Sequence, residues 1–325
     1  MSQAEQEANN RKSSKLKDYL QLTKPSLNIM VVFSSIICYL LAPKVIEFDW
    51  LMIVLLFVGG FLVTGSANAM NQVVEKDTDA IMKRTSSRPV ASGRMSISEG
   101  WIFSIITGVA GVIILWYFFN MLSAFLAALS LFLYAFVYTP LKKVNAIAVL
   151  VGAFPGALPC LIGWAAGNDS IWENGHGWQD YGGWALFAIQ FLWQFPHFWA
   201  IAWIAHNDYL RAGFRLLPSE KGPTKKTALQ TIIYALLLIP VCTIPYQIRL
   251  CGVTSLIVVV IANLFLTSQC IRLYIEMNAK AARRVMFSSY IYLPVVLLTL
   301  LSDKLPAATS GSYGLWNRVL QSFMA

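Results

Sequence analysis

Residues 50–79 read WLMIVLLFVGGFLVTGSANAMNQVVEKDTD. A bilayer hydrocarbon core about 30 Å thick needs roughly 20 apolar helical residues to cross it. Residues 50–70 supply that length without one charge. From Asn71 the character changes. Asn71, Glu75 and Asp79 recur at every fourth position. At 3.6 residues per turn such a set drifts only about 40° per step, so it shares one helix face. Thr64 and Asn68 carry the same stripe back into the apolar run. The stretch predicts a membrane helix that delivers carboxylates to a membrane–water boundary.

The rest of the chain agrees with that beginning. Of 325 residues, 57% are hydrophobic and only 13% charged, against about 25% charged in soluble domains. An ordinary soluble domain is excluded, and 11 Trp, 13 Tyr and 19 Phe exclude a disordered polymer. Apolar runs predict nine crossings, at 27–43, 50–70, 101–119, 121–138, 146–166, 184–205, 228–246, 252–271 and 286–302. The expected architecture is all-α: a polytopic membrane bundle of nine transmembrane helices, read as a pseudo-repeat of four helices plus one. Residues 1–24 are expected as a polar cytoplasmic segment, 25–303 as the nine-span domain and 304–325 as a tail on the outer face. Residues 1–24 mix charges and have no apolar core, so they do not read as a signal peptide.

The net charge of +9 comes from 25 Lys and Arg against 16 Asp and Glu. With nine crossings, Lys44, Arg249, Lys304 and Arg318 fall on one face and the other 21 of the 25 basic residues on the opposite one. Basic loops stay in the cytoplasm, so the charge reads as topology, with the N-terminus and the basic loops cytoplasmic, and not as a nucleic-acid patch. Five cysteines without CxxC spacing read as small buried hydrophobes. His176, in the outer loop 167–183, is expected as a solvated surface histidine.

The chemistry is expected on the basic face. Carboxylates about 6 Å apart along a helix suit a hard divalent cation such as Mg²⁺. Arg84 and Arg88, again four apart, offer guanidinium forks for phosphate oxygens. Together they describe a Mg²⁺–diphosphate site, although a solvated loop fits the same charges. Tyr138-Thr139-Pro140-Leu141-Lys142 closes the fourth span, where Lys142 serves either as a phosphate-binding point charge or as a topological anchor. In the sixth span, Gln190, Gln194, His197 and, beyond it, Asp208 fall within roughly 60° of one another on a helical wheel. Buried polar groups in a bilayer tend to line cavities; the alternative for His197 is a satisfied histidine between helices. Gly152 and Gly156 read as a helix-packing pair.

These residues carry a resemblance. NQVVEKDTD at 71–79, RTSSRP at 84–89, YTPLK at 138–142 and FLWQFPHFWAIAW at 191–203 resemble the UbiA-type intramembrane prenyltransferase superfamily, whose first motif is NxxxDxxxD, and within it the branch that prenylates heme. The likeness runs from about Thr23 to the ninth span. It implies farnesyl transfer from farnesyl diphosphate to heme B, with water added. The catalytic and Mg²⁺-binding residues would be Asn71, Glu75 and Asp79. Arg84, Arg88, Lys142 and Tyr138 would bind diphosphate. His197, Gln194, Asp208 and Tyr209 would lie on the heme side, with Asp208 as a candidate second metal ligand. Ala212 four residues after Asp208 departs from the fuller second acidic motif. A bacterial cytoplasmic membrane, and heme A synthase or cytochrome oxidase assembly as partners, are implied too. A sister prenyltransferase acting on a quinone or chlorin precursor, and a transporter, stay open.

Overall fold

The computed structural model describes residues 15–219 and 221–307. Arg11, Lys12, Arg318 and most of the expected outer tail lie outside the described residues. Among those described, the chain is helical without a strand, its one isolated bridge joining Cys251 to Lys304. The long helices in chain order are α1 (Lys15–Thr23), α2 (Pro25–Leu41) and α3 (Trp50–Val74), then short α4 (Lys76–Ile81). Next come α5 (Ile97–Phe118), α6 (Met121–Phe132), a π-helical turn (Leu133–Tyr138), the single turn α7 (Thr139–Leu141) and α8 (Ala148–Asn168). A 3₁₀ turn (Gly177–Tyr181) leads into α9 (Gly182–Ile204), α10 (His206–Arg211), α11 (Lys225–Gln247), α12 (Val253–Glu276) and α13 (Ala279–Ser302).

Helix starts follow from the sequence. Asp49 accepts from the amides of Leu51 and Met52, and Ser96 from that of Glu99, satisfying donors a new helix leaves orphaned. The tight join at Asn120 works because its carboxamide oxygen accepts from Ser123.

Seven helices among the described residues are long and apolar enough to cross a membrane, eight if the α1–α2 pair, bent by 43°, is one span. That is fewer than the nine expected. α2 has only 17 residues, and α9 is diluted by Gln190, Gln194, Pro196 and His197. Both still pack within the bundle. The long helices pack in sequence, α2 on α3, α3 on α5, α5 on α6, α6 on α8, α8 on α9, α9 on α11, α11 on α12 and α12 on α13, and α13 returns to α2. α8 runs through the middle, touching α2, α6 and α9, with 78% of its apolar window buried.

Small residues set the closest approaches. A Cβ on Gly111 of α5 would lie 2.7 Å from the carbonyl oxygen of Gly59 on α3. Close contact of that kind is what holds helices together where lipid removes the hydrophobic drive. The outer surface is apolar, as along Ile102, Ile105, Ile106, Val109 and Ile113 of α5. This is an integral membrane protein.

Two expectations are corrected. His176 is not simply solvated, since its ring pairs with Asp180 at 3.1 Å. The polar stripe of α9 does not face one cavity. Gln190 and Gln194 donate to the carbonyls of Gly156 and Ala153 on α8, whereas His197 turns to Ser289 on α13 at 2.8 Å. A helical wheel gives angles about one axis; which neighbour stands at each angle comes from the packing. All five cysteines are buried and free, as expected for small hydrophobes.

Candidate active site

α3 does not run unbroken through its acidic stripe. It ends at Val74, Glu75 sits at φ −94° and ψ 15°, and α4 begins at Lys76. The break keeps the spacing intact. Glu75 N–H donates to the Asn71 carbonyl at 2.9 Å and Asp79 N–H to the Glu75 carbonyl at 2.7 Å. Asn71, Glu75 and Asp79 therefore still point the same way, into a cavity of about 210 Å³.

The opposite wall comes from the π turn and α7. A π turn is a frequent marker of a functional site, and here Tyr134, Tyr138 and Lys142 all line the cavity. Gly152 of α8 makes room for this wall, since a Cβ there would lie 2.6 Å from the Tyr138 ring. The Lys142 ammonium stands 4.6 Å from the centre of that ring. It donates to Glu75 at 3.0 Å and to the Asn71 amide oxygen at 3.1 Å, while the Thr139 hydroxyl donates to the same oxygen at 2.9 Å. The Asn71 amide nitrogen donates to Glu75 at 2.9 Å.

The third wall is the segment after α4. Arg88 pairs with Asp79 at 2.6 Å, with the carboxylate fully buried. Arg84 reaches the Tyr209 hydroxyl at 3.5 Å, and both arginines line the cavity. The two are four residues apart but not on a helix, because α4 ends at Ile81.

Of the expected residues, Asn71, Glu75, Asp79, Arg84, Arg88, Tyr138, Lys142 and Tyr209 thus meet in one cavity. Gln194, His197 and Asp208 are not among the residues that line it. Asp208 stands 4.0 Å from Arg211, and Gln194 and His197 tie α9 to α8 and α13. Sequence reasoning missed Lys24 as a lining residue, although a lysine immediately before Pro25 at the start of a helix was visible. Lys24 adopts a left-handed conformation at φ 52° and donates to Asn68 at 3.3 Å. Phe198 and Ile201 of α9 and Phe214 of the following loop were missed too; nothing in their spacing marks them. Burial lowers the pKa of His206, just outside the cavity, so its imidazole is neutral at neutral pH.

A divalent cation fits this donor set. Asp79 is fully buried with one carboxylate oxygen, Oδ1, unpartnered. Mg²⁺ is usually held by one or two carboxylates together with substrate phosphates. No group of three His, Cys, Asp or Glu suited to a metal occurs among the described residues, so two carboxylates and an amide are what the chain itself offers.

Two residues, Leu27 and Tyr134, also line a second, apolar cavity. It runs up between α2, α3 and α8 past Val31, Val32, Gly60 and Val63 to Leu115. A charged cavity of basic, carboxylate and amide groups therefore adjoins an apolar one inside a membrane bundle, the two meeting at Leu27 and Tyr134. Residues 31–291 match the family model described as UbiA prenyltransferase family. The chain belongs to that family. Among its relatives, the protoheme IX farnesyltransferase of Cytophaga hutchinsonii is 42% identical over 294 residues, covering 90% of this chain and 99% of that protein. That of Flavobacterium johnsoniae is 40% identical, covering 88% and 94%. Among solved structures, a digeranylgeranylglyceryl phosphate synthase superposes with a TM-score of 0.72 at 23% identity, covering 89% and 98% of the two chains. A UbiA homolog from Archaeoglobus fulgidus bound to GPP and Mg²⁺ gives 0.60 at 13%, covering 87% and 99%. At these identities the structural likeness speaks for the fold.

Proposed function

We propose that this prenyltransferase moves the farnesyl group of farnesyl diphosphate onto a vinyl group of heme B, with addition of water, giving heme O and diphosphate. The observation that carries the donor half is the pair of adjoining cavities. One is lined by Lys24, Arg84, Arg88 and Lys142 around Glu75 and Asp79, and the other is apolar. The acceptor follows from the activity named for relatives that this chain matches over nearly their whole length.

Each residue's work follows from its place. Arg84, Arg88 and Lys142 hold the diphosphate and stabilise the charge it gains as the allylic C–O bond breaks and its electron pair leaves with the phosphate oxygen. Asn71, Glu75 and Asp79 would hold Mg²⁺, which supplies further positive charge at the leaving group. The farnesyl carbon left electron-poor lies beside Tyr134, Tyr138 and Phe198, whose ring faces stabilise positive charge. The vinyl π pair of the porphyrin forms the new C–C bond. The carbon next to the ring then takes a water oxygen and releases a proton. The apolar walls keep other water from the farnesyl carbon. Gln194 and His197 serve the acceptor side as positioning residues, fixing α9 so that Phe198 and Ile201 face the cavity.

The same reading places nine crossings in a bacterial cytoplasmic membrane, with α2 and α9 as the two beyond the seven, and the site at the cytoplasmic ends of α3 and α9. The four-plus-one repeat rests on those two ends recurring four spans apart. Heme A synthase or cytochrome oxidase assembly is the expected consumer of the product.

The test is direct. Protein in lipid vesicles is supplied with heme B and labelled farnesyl diphosphate, and the extracted hemes are separated and weighed. Label moving into a heme heavier by one farnesyl group and one hydroxyl is the expected result. Label entering a quinone or chlorin precursor while heme B stays intact would overturn it.

A further inference from the structure

Beside the diphosphate cavity lies a third one of about 470 Å³, within the range of small-molecule sites, formed by the loop after α7, by α10 and by residues 214–219. Ala202, Tyr209, Phe214 and Leu216 line both cavities, so they are one shared wall. The loop is fixed to that wall. Arg215 N–H donates to the Lys142 carbonyl at 2.9 Å and Phe214 N–H to the Tyr209 carbonyl at 2.8 Å, and the Tyr209 and Phe214 rings meet edge-on at 5.9 Å. Val144, Ala202, Phe214 and Leu216 are among the apolar lining. Arg215, His206, Asn145 and Ser219 supply polar groups, and no acidic residue is in the lining among the described residues. Arg215 forms no ion pair among the described residues.

We infer that this cavity seats the acceptor, with Arg215 binding a propionate of the heme and His206 donating a hydrogen bond to it. The inference rests on the heme reading given under Proposed function and adds to it a subsite. A guanidinium is the side chain best matched to a carboxylate, through two parallel hydrogen bonds. In protoheme the two propionates leave one edge of the macrocycle and the vinyl groups sit away from that edge. A heme anchored by carboxylate at Arg215, with its flat apolar face along Phe214 and Leu216, therefore turns vinyl carbon toward the diphosphate cavity. Carboxylate and phosphate oxygens attract the same arginine, so the released diphosphate is the other anion this residue could take.

The experiment compares heme B with its dimethyl ester, which keeps the ring and vinyl groups but carries no carboxylate. Wild type and Arg215→Gln are assayed in vesicles with both acceptors, with equilibrium heme titration by absorbance alongside. Wild type is expected to favour heme B over the diester by about tenfold or more in KM, since a hydrogen bond to a charged group is worth that much. Arg215→Gln is expected to raise KM and Kd for heme B by a similar factor, leaving the diester and farnesyl diphosphate unchanged. Unchanged preference for heme B in the variant overturns the inference while leaving the heme reading intact. So does a variant that loses only its inhibition by pyrophosphate, which would give Arg215 to the leaving group. No prenylation of either acceptor by wild type removes both.

Discussion

Arg88 and Asp79 stand 2.6 Å apart, the carboxylate fully buried and the arginine side chain 16% exposed. Removing one member of such a pair leaves an uncompensated buried charge at a cost of about 3–5 kcal/mol. Arg88→Ala is therefore expected to lower the melting temperature and to cut heme O formation by about 100-fold or more, the usual loss when one preorganised donor is removed. Arg88→Lys separates the two effects. It restores a charge for Asp79 but not the fork, so melting should recover while the rate stays well below wild type. Equal activity of Arg88→Ala and wild type, measured by chromatography of extracted hemes, would remove Arg88 from the diphosphate site. Lys142 differs in kind. Its three close partners are Glu75, Asn71 and the Tyr138 ring, so it already bridges the acidic stripe and the aromatic wall.

Between elements, two glycines make opposite predictions. Gly152→Ala puts a methyl against the Tyr138 ring, a side chain that can turn away. The expected result is a modest stability loss and a drop in rate of tenfold or more, because Tyr138 and the Lys142 ammonium over it move together. Gly111→Ala meets the α3 backbone at Gly59 and Val63, which cannot turn. It should cost about 1–3 kcal/mol by overpacking and leave KM for farnesyl diphosphate unchanged in the protein that still folds. Thermal melting and initial rates on both variants would check this. Much of the site was legible at this scale because i, i+4 spacing survives local irregularity. Asn71, Glu75 and Asp79 keep a common direction even though the helix breaks at Glu75. The π turn left no such trace, as nothing in LYAFVY at 133–138 separates it from ordinary helix. The α9 stripe misled for a related reason. Gln190, Gln194 and His197 are polar because two different neighbours, α8 and α13, take their hydrogen bonds. Lys24 was read only as a topological charge, and its place in the cavity depends on the left-handed turn between α1 and α2.

For the whole molecule the proposed orientation rests on the asymmetry of basic residues. On the face expected to be sparse in basic residues, Lys44 and Lys304 have structural tasks. Lys44 pairs with Asp169 at 3.2 Å, and the Lys304 ammonium donates to the carbonyls of Leu40, Ala42 and Val45. These two close that end of the bundle and need no cytoplasmic location. A compartment-sensitive reporter placed after Lys143 or within 211–219 should report the cytoplasm, and one placed within 170–175 the opposite side. Matching signals from 143 and 170–175 would break the nine-crossing topology between them. One further consequence belongs to α3. Its 25 residues span about 37 Å at 1.5 Å each, beyond the roughly 30 Å of hydrocarbon, with Asn71 in its last turn and Glu75 and Asp79 just past its end. Donor tail and acceptor ring both dissolve in lipid, while only the diphosphate leaves for water. The concentrations that govern turnover are then amounts per membrane area, so diluting the bilayer with inert lipid slows the enzyme even when the bulk amounts in the tube are held constant.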